Sequence, residues 1–135
     1  MPVVLNKVER GNPLTPSATK KWYVTVKTVS QVDEGNVARQ IADETTLNRK
    51  EAEMALAQFE KVLLSNLLAS NSVQMGGWGS FHLSSNSTGA TSKEALTTDF
   101  LKGLNLRFQP GKALKEALAK AHFVFAEDLV SKPAP

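Results

Sequence analysis

The stretch Leu106-Arg-Phe-Gln-Pro-Gly-Lys-Ala-Leu-Lys-Glu-Ala-Leu118 decides how this chain is read. It is a strand that turns on Pro110-Gly111 and runs directly into a helix. The first turn of a helix carries a partial positive charge and ordinarily gathers Asp or Glu, yet Lys112 and Lys115 stand there. Two answers are open. Lys112 can pair with Glu116, four residues on, in a surface contact of roughly 0.3 kcal/mol, or both lysines can face an anion from outside the chain.

Upstream, Ser72-Val-Gln-Met75 and Gly79-Ser-Phe-His-Leu83 read as short strands joined through Gly76-Gly77-Trp78, where glycine supplies backbone angles that other residues avoid. Ser84 to Ala90 is polar. Thr91 followed by Glu94 is a capping-box pattern, and Ala95, Leu96, Phe100 and Leu101 at helical spacing before Gly103 predict a small helix. Before these, Val37, Ala38 and Ile41 share one face of a short helix that begins at Asp33 and ends near Thr45-Thr46. Asn48 with Glu51 forms a second capping box and opens a helix reaching about Ala69. Its apolar positions, among them Leu56, Phe59, Leu63 and Leu67, spread beyond a single stripe, so it needs more partner surface than the short helix offers. A second subunit is the expected source.

At the N-terminus, residues 3–9 and 22–29 are rich in β-branched and aromatic side chains and read as two strands. Gly11, Pro13 and Pro16 exclude regular structure between them, which gives a hairpin with a long basic tip. Phe123-Val-Phe-Ala126 is expected to be a last short strand, followed by a frayed tail from Ser131. No internal repeat or domain linker stands out.

At 135 residues with 41% apolar and 21% charged content, the chain suits one compact soluble domain. It has no cysteine, which excludes disulfides and thiolate metal sites and points to a reducing compartment, with the cytoplasm as the expected setting. No segment approaches the ~20 apolar residues of a membrane span, and no basic region followed by an apolar run marks a secretory leader. Net charge is +3, but its placement says more. Residues 1–32 carry Lys7, Arg10, Lys20, Lys21 and Lys27 against the single acid Glu9, a net +4, and the remainder is close to neutral. A localised basic segment is the footprint that polyanion binding leaves.

Catalytic and metal chemistry find little support. His82 and His122 stand far apart with no carboxylate pair at ligand spacing, and Ser80, Ser84, Ser85 and Ser87 have neither a nucleophile elbow nor a base. The glycines around Trp78 lack the Gly-Lys-Ser/Thr ending of a phosphate loop. Trp22 and Trp78 could stack on bases but are read as core residues. No enzyme activity, cofactor, metal or small-molecule substrate is expected.

The order of these elements, with Gly77-Trp-Gly-Ser-Phe81 and Phe108-Gln-Pro-Gly-Lys-Ala-Leu-Lys115 behind a helical pair, resembles the HU/IHF family of bacterial histone-like DNA-binding proteins. The resemblance covers residues 33–120. With its hairpin, the whole chain is similar to the HU-related variant described from Bacteroidetes-type bacteria. It implies an α+β, HU/IHF-like fold: a helical pair and a small antiparallel sheet in an intertwined homodimer. Here residues 1–32 add a β-hairpin, residues 33–120 form the core of a single domain, and residues 121–135 supply a strand and tail. It further implies a nucleoid protein that binds double-stranded DNA with little sequence preference and bends it.

On this resemblance the anion facing Lys112 and Lys115 is DNA phosphate, held also by the amides that begin the helix, with Arg107 nearby. Arg49 falls where the family often has a basic residue. One departure is large. HU proteins carry a long basic hairpin with an intercalating proline between the two motifs, whereas Ser84 to Asn105 here is neutral and reads partly as helix, so that arm is expected to be missing. Lys7, Arg10, Lys20, Lys21 and Lys27 on the N-terminal hairpin could replace part of the lost contact, or the hairpin could cover a sheet edge with its lysines in water. A dimeric protein-interaction module with little DNA affinity is the alternative function.

Overall fold

Asn48 accepts a hydrogen bond from the Glu51 amide at 2.9 Å while the Glu51 carboxylate accepts from the Asn48 amide at 3.4 Å, so the capping box forms as its spacing predicts. It opens helix α2, Arg49–Leu68, which packs against helix α1, Glu34–Glu44. Asp33 caps α1 by accepting from the Asn36 amide at 2.9 Å. The computed structural model describes residues 2–15, 17 and 19–131; Pro16 in the hairpin loop and the tail beyond Ser131 lie outside these.

The described chain divides into two compact units. Residues 33–118 hold the helical pair and a three-stranded antiparallel sheet of β3 (Val73–Met75), β4 (Gly79–Ser87) and β5 (Leu101–Pro110), followed by helix α3 (Lys112–Ala119). Residues 1–32 and 119–135 form the other. There β1 (Val3–Arg10) pairs antiparallel with β2 (Lys21–Val26) and parallel with β6 (Phe123–Phe125), and a short helix, α4 (Ala126–Ser131), packs beside β1. The hairpin expected from the sequence is therefore present and is extended by β6 into a mixed three-stranded sheet, in addition to the small antiparallel sheet of residues 33–118.

The segment from Ser84 to Asn105 corrects the expectation of a helix. Strand β4 continues to Ser87 and β5 starts at Leu101, so the two form a ribbon, with a register irregularity between Asn86 and Ser87. The cause is a period-two pattern: Leu104, Leu106 and Phe108 lie on one face and Asn105, Arg107 and Gln109 on the other. Thr91 does not cap a helix. Instead Ser92 accepts from the Ala95 amide at 3.1 Å, and one 3-10 turn at Thr98–Phe100 leads into the ribbon.

Among the described residues the buried apolar side chains are Ala38, Ala52 and Leu67, while Met54, Leu68 and Leu118 stay more than 60% exposed. The unit of residues 33–118 thus leaves much of its apolar surface open. Trp22, read from sequence as core, is 67% exposed on the edge strand β2. Trp78 does join an apolar cluster, its ring 5.0 Å from Phe108 and 5.7 Å from Phe81. Among the described residues no helix is long and apolar enough to cross a membrane.

Candidate nucleic-acid interface

The two motifs that shape the sequence reading touch each other. The Gly77 carbonyl accepts the amides of Ala113 at 3.1 Å and Leu114 at 3.3 Å, and the Trp78 carbonyl accepts the Gly111 amide at 2.9 Å. These are amides that a helix start ordinarily leaves unsatisfied. The first of the helical amides, that of Lys112, is left without a carbonyl acceptor among the described residues. The expectation that phosphate is held by the amides of this helix start is corrected accordingly: the chain's own turn occupies most of them. The same carbonyls set partial negative charge against the positive end of α3, which makes lysine there tolerable.

What remains for an anion is side chain. Lys112 and Lys115 are exposed, lie three residues apart on neighbouring helical positions, and make no ion pair with a described residue; the Lys112–Glu116 pair is not formed. Arg107 lies on the polar face of the ribbon, across from His82, and donates through Nε to the Ser84 hydroxyl at 3.2 Å. That bond steadies the guanidinium stem and leaves its terminal nitrogens without a carboxylate. Arg49 is engaged elsewhere, pairing with Glu53 at 3.3 Å one turn along α2.

The hairpin cations do not act as one group. Lys7 donates to Glu127 on α4 at 2.5 Å and lies 4.6 Å from the Phe125 ring centroid. The hydrogen bond to Glu127 and the attraction of that carboxylate raise the Lys7 ammonium above its ordinary pKa. Arg10 and Lys21 sit directly opposite each other across β1 and β2, and neither they nor Lys20 and Lys27 form an ion pair with a described residue. Sequence reasoning missed Glu127 as the partner of Lys7, because residues 120 positions apart meet only once β6 docks on β1. Among the described residues no group of His, Asp and Glu side chains is arranged to hold a metal.

Residues 1–124 match a family described as HU-HIG, an HU domain fused to a wHTH, Ig or glycine-rich motif. The chain belongs to the HU-HIG family. Solved structures of other proteins share its fold. A candidate DNA-binding protein of Bacteroides vulgatus superposes with a TM-score of 0.65 at 16% identity, over 92% of this chain and 48% of that one. This chain therefore spans about half the length of that relative. Anabaena HU, crystallised with DNA, superposes with a TM-score of 0.53 at 17% identity, over 66% of this chain and 99% of HU. None of the curated proteins compared with the chain matches it. An HU-HIG chain is thus an HU-type α+β fold, and here the HU portion carries the lysine-led helix start.

Proposed function

We propose that this HU-HIG chain is a non-enzymatic, histone-like nucleoid protein that binds duplex DNA as a homodimer, through phosphate contacts with little sequence preference. One observation carries the reading: two exposed ammonium groups stand at the positive end of α3 without a carboxylate, beyond a strand that presents Arg107. Phosphate oxygens are the complement that such a group lacks. With most amides of the helix start already bonded to the Gly77 and Trp78 carbonyls, binding rests on Lys112, Lys115 and Arg107, and Arg49 joins only by exchanging Glu53.

A second copy of the chain answers the open apolar surface. An open groove of about 550 Å³ between the end of α2 and the ribbon is lined by Leu67, Leu68, Leu83 and Leu104 together with the polar Asn71, His82, Ser84 and Ser85. The exposed apolar side chains of this unit, Met54, Leu64, Leu68 and Leu104 among them, gain roughly 25 cal/mol per Å² of apolar surface on burial, which favours covering them with a partner's side chains. A salt titration of duplex binding tests the function. Micromolar or tighter binding that weakens steeply with salt is expected; no binding at roughly 50 mM salt, where phosphate contacts are strong, would leave a dimeric interaction module instead.

A further inference from the structure

Strand register sorts the hairpin cations onto two faces. Lys7 falls with Leu5, Trp22, Val24 and Val26 and is held by Glu127. Arg10, Lys21, Tyr23, Thr25 and Asn6 fall on the other face. Lys27 continues that row, since its amide extends the pairing by donating to the Val4 carbonyl at 2.8 Å. We propose that this second face binds single-stranded nucleic acid, with Tyr23 stacking on an exposed base and Arg10, Lys21 and Lys27 contacting the flanking phosphates.

Three observations point the same way. Arg10 and Lys21 are directly opposed like charges, an arrangement that destabilises a strand pair unless an anion lies between them. Tyr23, the next residue along the same face, is 49% exposed and borders a groove of about 740 Å³ that Arg10, Asn12, Thr19 and Lys21 also line. Beyond it, Asn6 and Thr25 face each other half-buried, with no side-chain hydrogen bond to a described residue, and are available to base edges. A cation-flanked aromatic on an open sheet face suits bases that are already unstacked, whereas a duplex keeps its base faces inside. The face shares no residue with the α3 site, so it stands or falls separately from the duplex reading.

The experiment measures fluorescence anisotropy of the full chain with oligothymidylate and oligouridylate of about 12 nucleotides, within the range such platforms cover, and with a duplex of equal length. Tyr23→Leu, which keeps apolar bulk on the strand, is expected to weaken single-strand binding at least fivefold, roughly the low end for one stacked base. Tyr23→Phe retains the ring and is expected to bind as the native chain does. Lys21→Gln and Lys27→Gln should each lower the single-strand salt slope by about 0.7. Duplex binding is expected to be unchanged by Tyr23→Leu, and the tighter of the two oligonucleotides identifies DNA or RNA as the strand. Equal single-strand affinity of Tyr23→Leu and the native chain, absence of single-strand binding, or hairpin substitutions that weaken only the duplex would each overturn the proposal.

Discussion

A Cβ atom added to Gly111 would lie 2.3 Å from the carbonyl oxygen of Gly77, so the turn after β3 and the start of α3 can approach this closely only as glycines. The contact places the Gly77 carbonyl over the Ala113 and Leu114 amides, and the cap and the glycines are one device. Gly111→Ala must push the two backbones apart, and neither neighbour is a flexible side-chain end. The expected cost is about 1–3 kcal/mol, in the range of other overpacked sites. A shift of the urea midpoint at constant slope measures it.

Substituting the α3 lysines addresses the site rather than the fold. Lys112 and Lys115 are exposed and unpaired with described residues, so Lys112→Gln and Lys115→Gln should leave the unfolding midpoint near that of the native chain. Each phosphate contact removed should reduce the slope of log affinity against log salt by about 0.9. Lys7→Gln, in contrast, removes a cation already held by Glu127 and should change that slope less than either. A duplex titration at several salt concentrations separates the three variants.

The Lys7–Glu127 pair carries its own pH signature. Its hydrogen bond to Glu127 raises the Lys7 pKa in the folded state above 10.5, so the pair's stabilisation is fully present below that value and is lost as pH rises through the higher folded value. Both groups are solvent-exposed, so the effect is small and screened by salt. Denaturation midpoints measured on the alkaline side should fall more steeply for the native chain than for Glu127→Gln. Parallel pH profiles would show that the pair is not formed in solution.

Some of these features are readable in the chain and others are not. The capping box at Asn48 was legible because both of its residues are local and its hydrogen bonds follow from spacing alone. The ribbon was obscured because Thr91, Glu94, Ala95 and Leu96 imitate a helix start, while the decisive alternation begins only at Leu104 and acts through pairing with β4. The α3 lysines were recognisable by type and place, yet the amides beside them could not be known to be occupied, since Gly77 reaches them from 36 residues away. Likewise, five hairpin cations look alike in sequence, and only register separates Lys7 from Arg10 and Lys21.

A homodimer makes stability depend on concentration. The buried apolar set of Ala38, Ala52 and Leu67 is too small to hold the 33–118 unit alone, and Met54, Leu64, Leu68, Leu104 and Leu118 are all more than half exposed in the single chain. If a second copy covers them, folding and association are coupled, and the thermal midpoint should rise with protein concentration. The mass in solution should be twice 14.6 kDa. Leu104→Asp places a charge against the groove formed with Leu67 and Leu68, where a carboxylate would lose its hydration on association. The variant should sediment as monomer at concentrations where the native chain is dimeric, and its midpoint should fall by several degrees, as a loss of a few kcal/mol implies for a chain of this size. A concentration-independent midpoint, with the mass of one chain, would exclude the dimer.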